Sequence, residues 1–121
     1  MHALLDHVVA SGVPGGFVEC GCWKGGVAML AAAVFKAHGA DRVVWFADSF
    51  EGLPIPDLEN FPADRAHTLR PPTDILNDND AATVKAMLER VGLFDEVRTR
   101  IIKVSGAEWG PTIVLVLHGA E

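Results

Sequence analysis

The sequence predicts an α/β fold, a three-layer Rossmann-like sandwich of helices around a parallel sheet, and three observations carry that expectation. Phe17-Val18-Glu19-Cys20 reads as a strand running into a glycine-rich turn, Gly21 to Gly26, which opens a helical pattern. Val43-Val44-Trp45-Phe46-Ala47 is a continuous apolar run between Arg42 and Asp48, as expected for a parallel strand covered on both faces. Together these segments have the length of one strand–helix–strand unit.

Each element has its own signal. Leu4, Leu5, Val8 and Val9 recur at helical spacing and Gly12 closes the pattern, predicting a short first helix. Val13-Pro14-Gly15-Gly16 is a turn. Beyond the glycine turn, Val27, Leu30, Ala31 and Val34 share one face of a second helix that Gly39 stops. The stretch 52–79 holds five prolines and few periodic apolar positions, so it reads as a functional or disordered loop. Asp80 is placed to cap a third helix with Val84, Met87, Leu88 and Val91 as its inner stripe and Gly92 at its end. Val97 to Val104 and Ile113 to Leu117 are the last strand candidates. Without repeats or an internal boundary, residues 1–121 read as one domain.

Composition narrows the partners. Half of the 121 residues are apolar, 21% are charged, and the net charge is −6 with no Lys/Arg cluster. That balance argues against a nucleic-acid or membrane-surface partner. Apolar runs such as Ala28 to Phe35 are too short to span a bilayer, and the N-terminus lacks the pattern of a secretory signal. Cys20 and Cys22, the two cysteines, fit neither a disulfide framework nor a complete zinc site. They read as small packing residues rather than a redox pair, and a reducing cytoplasm is the expected location.

The chemistry concentrates in Glu19 to Gly26. Gly21 permits a sharp turn, while Gly25 and Gly26 let a ligand approach the backbone. The helix that follows offers free N–H groups and partial positive charge to a carboxylate or phosphate. The dinucleotide pattern G-x-G-x-x-G is broken, because Trp23 stands at its second glycine. Glu19, two before the first glycine, instead suits the ammonium of an amino-acid-like cofactor. Asp48 lies 22 residues after Gly26, where an acidic side chain accepts from ribose hydroxyls. The glycines taken alone also fit a plain strand-to-helix turn, and Asp48 alone a solvated strand end; the combination favours a nucleoside cofactor. Trp23 either covers that cofactor or packs on the following helix.

Val13 to Gly26 closely resembles the start of the macrocin O-methyltransferase (TylF/MycF-type) family, and so does Trp45-Phe46-Ala47-Asp48-Ser49-Phe50-Glu51-Gly52-Leu53-Pro54. Phe61-Pro62-Ala63-Asp64 and Val84 to Asp95 also resemble the family's next segments, so the likeness runs from about Leu4 to Val97. It implies a class I methyltransferase fold, incomplete here at the C-terminus. It places S-adenosylmethionine on Glu19, Gly21, Cys22, Trp23, Gly25 and Gly26, with Asp48 and Ser49 at the ribose. It implies methyl transfer to a hydroxyl of a small molecule, a natural-product sugar, with help from Mg²⁺, and makes 52–79 a lid over the substrate.

The likeness ends after Val97. The family's Asp-Gly-Asp motif, which supplies metal ligands and a base, has its nearest counterpart in His118-Gly119-Ala120, followed by Glu121. A hard cation prefers oxygen ligands, so no metal ligand or catalytic residue is assigned. His118 as a base, Asp64 and His67 as lid contacts, and calcium at Glu51, Asp57, Glu59 and Asp64 are each set against a solvated polar residue. Two alternatives to the methyltransferase stay open: a non-catalytic remnant that at most binds cofactor, and a nucleotide-dependent oxidoreductase. The short Ser105 to Pro111 connection predicts that Ile101 to Val104 and Ile113 to Leu117 form an antiparallel hairpin, or that Ile113 to Leu117 is poorly placed. Either leaves an apolar sheet edge through which a homo-oligomer would form.

Overall fold

Two short strands joined by a helix pair side by side in parallel, because the helix returns the chain to the end of the sheet where it began. The computed structural model describes residues 1–52, 56–63, 65 and 79–104, and these follow that rule twice. Helix α1 (His2–Ala10) precedes β1 (Phe17–Cys20), α2 (Gly26–Ala37), β2 (Val44–Asp48), α3 (Ala81–Arg90) and β3 (Thr99–Lys103). The strands form a parallel sheet in the order β1-β2-β3. Phe17 lies beside Val44 and Val44 beside Thr99; two residues on, Glu19 lies beside Phe46 and Phe46 beside Ile101.

Because the chain advances across the sheet in one direction, both crossover helices lie on one face. The core sits there. Phe17, Val44 and Phe46 meet Ala28, Ala31, Val34 and Phe35 of α2 and Val84 and Leu88 of α3. Leu5 of α1 joins this cluster, and α1 packs chiefly on α2. Local chemistry sets the helix ends. The Asp80 carboxylate accepts from the Thr83 N–H at 2.6 Å, satisfying a first-turn donor of α3. Gly39 and Gly92 take left-handed backbone just past α2 and α3.

Several expectations need correction. Trp45 of β2 is 39% exposed and Ile102 of β3 37%, while Ala47 on the same face is buried, so that face of β2 is only partly covered among the described residues. These residues belong to the face opposite the helices. The buried residues of α2 are Ala28, Ala31, Val34 and Phe35, while Val27 and Leu30 are only partly covered. Leu4 and Val91 are exposed, Val91 because it caps α3 rather than extending it. The last described strand starts at Thr99, not Val97, because Asp95 accepts from the N–H groups of Val97 and Arg98 and holds them in a turn. Residues 53–55, 64 and 66–78 of the expected lid lie outside the described residues. So do Ile113 to Leu117, and with them the expected hairpin.

The turn before β1 is set against the backbone before β2. Phe17 N–H donates to the Val43 carbonyl at 2.9 Å, and the Arg42 guanidinium donates to the Gly15 carbonyl at 2.9 Å. A Cβ on Gly16 would overlap the Val43 carbonyl oxygen, which backbone cannot easily vacate. Gly16→Ala is therefore expected to destabilise the chain by about 1–3 kcal/mol. Urea unfolding of the full chain checks this, and an unchanged midpoint would refute the close approach.

Candidate functional site

In parallel sheets, ligands bind beyond the C-terminal ends of the strands, where the loops diverge. At the end of β1 the chain turns at Gly21 (φ +72°), and the N–H groups of Gly21 and Cys22 both donate to the Ala47 carbonyl, at 2.8 and 3.2 Å. The loop exiting β1 is thus hooked over the end of β2. Gly25 N–H closes it on the Cys22 carbonyl at 2.6 Å and enters α2 with φ +75°. A Cβ there would stand 2.8 Å from the Phe46 ring and 3.4 Å from Val84, so glycine lets the loop lie on the core.

Two non-glycine residues also adopt left-handed backbone among the described residues: Trp23 (φ +48°) and Phe50 (φ +53°). Each such residue costs roughly 1–2 kcal/mol and persists only where its surroundings hold it. Here the Asp48 carboxylate holds both. Its Oδ2 accepts from Trp23 N–H at 2.7 Å and its Oδ1 from Phe50 N–H at 2.9 Å. The Ser49 hydroxyl lies 3.5 Å from Oδ1 and accepts from Glu51 N–H at 3.2 Å.

Glu19 is 6% exposed, and its Oε2 accepts from the Ala28 N–H at 2.8 Å. Burial pushes its carboxyl above the ordinary value, the Ala28 bond pulls it partly back, and the Asp48 charge raises it again. Of the first-turn donors of α2, Glu19 satisfies Ala28, while the N–H groups of Gly26 and Val27 have no partner within the helix. A Cβ at Gly21 or Gly26 would meet nothing within 4 Å, so both glycines border open space.

The remaining expected residues are placed as follows. Cys22 is buried with its thiol turned into the core; burial first, then the charges of Asp48 and Glu19, push it up to about 12. Its part in the loop is made by its backbone. Trp23 is 42% exposed, with the Lys24 ammonium 4.8 Å from its ring centroid, so its indole is not part of the core. Asp57 holds a local turn by accepting from the N–H groups of Glu59 and Asn60. Among the described residues no group of three or more His, Cys, Asp and Glu suits a metal ion. Asp64, His67, His118, Ala120 and Glu121 lie outside the described residues. A groove of about 300 Å³ lined by Phe35, Lys36, Arg42, Phe94 and Arg98 lies at the opposite end of β2 and β3, away from these loops. Phe50 was missed in the sequence, although Asp48-Ser49-Phe50 is a legible side-chain turn.

The raised Glu19 carboxyl has a measurable consequence. Between the ordinary value of 4.5 and its higher native value, the folded chain holds a proton that the unfolded chain has lost. This group's contribution to stability therefore falls as pH rises through that window. Glu19→Gln keeps an acceptor for Ala28 without the titration. Subtracting its urea-unfolding stabilities from those of the wild type, from about pH 4 to 7, should give a difference that declines with pH. A rising difference would mean the fold favours the carboxylate.

The fold is similar to that of known proteins. A solved structure of the O-methyltransferase NovP superposes with a TM-score of 0.70 at 32% identity, covering 83% of this chain and 41% of that one. The 8-demethyl-8-(2,3-dimethoxy-alpha-L-rhamnosyl)-tetracenomycin-C 4'-O-methyltransferase of Streptomyces olivaceus is 41% identical over 93 residues, 76% of this chain and 35% of that protein. The mycinamicin III 3''-O-methyltransferase of Micromonospora griseorubida is 30% identical over 138 aligned positions, 94% of this chain and 54% of that protein. The chain thus spans about a third to a half of the length of these curated relatives. Among the described residues, no helix is long and apolar enough to cross a membrane. The macrocin-O-methyltransferase (TylF) family model matches residues 1–105, most of the chain, with the α/β order that the class I methyltransferase likeness implied, and the chain belongs to that family.

Proposed function

We propose that this chain supplies the S-adenosylmethionine-binding part of an O-methyltransferase whose acceptor is a hydroxyl on a natural-product sugar. The observation that carries the reading is the juxtaposition of two carboxylates, Glu19 and Asp48, with an open glycine loop and the N-terminus of α2. When bound, S-adenosylmethionine supplies an electrophilic methyl group on a sulfonium sulfur. The residues of the chain bind and orient. Gly26 and Val27 N–H groups meet a carboxylate at the positive end of the helix. Glu19 uses one of its roughly four acceptor positions on Ala28 and has others for an ammonium. Asp48, with Ser49 beside it, accepts from ribose hydroxyls while keeping its backbone bonds.

The acceptor class rests on relatives whose names state O-methylation of a rhamnosyl tetracenomycin and of mycinamicin III. Methyl transfer then needs chiefly orientation and charge, so that the acceptor oxygen approaches the methyl carbon in line. Mg²⁺ belongs to this proposal only through the family likeness, and no catalytic base is assigned.

Gly26 separates site from fold. Its backbone is unstrained and a Cβ would meet nothing, so Gly26→Ala should leave the melting temperature unchanged or slightly raised. The methyl would nevertheless occupy the cradle, and S-adenosylhomocysteine should bind about tenfold or more weakly. Asp48→Ala should weaken binding by about 1–3 kcal/mol. Calorimetry with the full chain reads both. Wild-type affinity in the two variants would overturn this site.

A further inference from the structure

We propose that Asp48 is also a positioning residue, a latch joining the loop after β1 to the loop after β2 so that ligand groups at either loop are held in one register. Its ligand consequence rests on the cofactor reading above; the latch itself does not.

Among the described residues, the two non-glycine positions with left-handed backbone are Trp23 and Phe50. They lie in different loops, and both donate to the same carboxylate, one on each oxygen. The Phe50 bond spans two residues and is a local turn. The Trp23 bond spans 25 residues and crosses between strands. It falls beside the bonds of Gly21 and Cys22 to the Ala47 carbonyl, so consecutive residues of β2 grip the β1 loop, one by backbone and one by side chain. Trp23 is 42% exposed, and core packing does not dictate its backbone. What offsets its strained conformation is the bond to Asp48. Released from it, the turn between Cys22 and Gly25 relaxes, and the first N–H groups of α2 lose their aim. A ligand's carboxylate at Gly26 and Val27 therefore feels Asp48 without touching it.

Amide hydrogen exchange on the ¹⁵N-labelled full chain tests the latch without ligand. Asp48→Asn keeps one acceptor oxygen and turns an NH₂ toward the other loop. The expected result is faster exchange at Trp23, by about tenfold or more, extending to Gly25, with the β1 and β2 amides unchanged. Loss confined to Phe50 means that the Asn oxygen stays on Trp23, and Asp48→Ala, which has no acceptor for either loop, then decides; unchanged Trp23 exchange in Asp48→Ala overturns the latch. A second variant guards against loss of the fold. Glycine adopts left-handed backbone without strain, so Trp23→Gly added to Asp48→Asn should restore Gly25 protection, and restore folding if the single variant lacks it. A double variant no better than the single one also overturns the latch. Titration with L-methionine, which is too short to span both loops, adds the ligand arm. Weaker methionine binding in Asp48→Asn that the added Trp23→Gly restores shows the coupling; wild-type binding in Asp48→Asn, or no recovery in the double variant, refutes it. A wild type that binds neither methionine nor S-adenosylhomocysteine overturns the cofactor reading and with it the ligand consequence, while exchange still decides the latch.

Discussion

The bond from Ala28 N–H to the buried Glu19 carboxylate fixes where α2 begins, and the rest of the site follows from it. Glu19 is the third residue of β1, and strand alternation puts it on the same face as Phe17, the face that the helices cover. A carboxylate there loses solvation and regains part of it only from a donor that comes down onto the sheet. The first turn of a helix carries such donors. Satisfying Glu19 therefore sets the height of α2 above β1 and points its next free N–H groups past the strand end. Gly25 is the matching constraint, since the helix lands there on Phe46 with no room for a side chain.

The position of α2 also explains which of its residues are buried. Once Ala28 is tied to the strand, Ala31, Val34 and Phe35 follow it on the inward face by helical spacing. Ala28 and Ala31, fully buried, bring the backbone close to the sheet, and Phe46 fills the space beneath Gly25. Both crossovers run the same way, so the opposite face of the sheet keeps Trp45 and Ile102 partly in water. Among the described residues this partial cover follows the topology, since both crossover helices lie on the other face.

That distinction marks what the sequence could and could not reveal. Gly39, Gly92 and Asp80 were legible because each acts on the chain a few residues away, through left-handed backbone or a capping oxygen. Phe17 to Cys20 was legible from its apolar run and the glycine that ends it. The exposure of Trp45 was not, because an apolar run looks the same whether one face or two are covered. The inward stripe of α2 was misplaced by a rotation of the helix that depends on Glu19, nine residues from Ala28. At the site, the loop residues and both carboxylates were legible by type and spacing. The partners of those carboxylates were not: the bond from Trp23 to Asp48 spans 25 residues and forms only once β1 and β2 pair.

The glycine pattern separates the two ligand classes that such a loop can serve. A dinucleotide brings a doubly charged pyrophosphate to the helix N-terminus and needs glycine at the second position of the turn for close approach. Here that position is Trp23, whose side chain stands at the rim of the loop. The Glu19 carboxyl is raised chiefly by burial, with a smaller contribution from the Asp48 charge. The neighbouring Cys22 thiol, held up to about 12 by burial and the same two charges, stays neutral and adds no anion of its own at neutral pH. An amino-acid cofactor makes no such demand for glycine at that position. In the reading proposed above its carboxylate faces the helix donors, its ammonium Glu19 and its ribose Asp48. The oxidoreductase reading therefore fails on the glycine pattern, where Trp23 stands at the second glycine, and on the family match over residues 1–105.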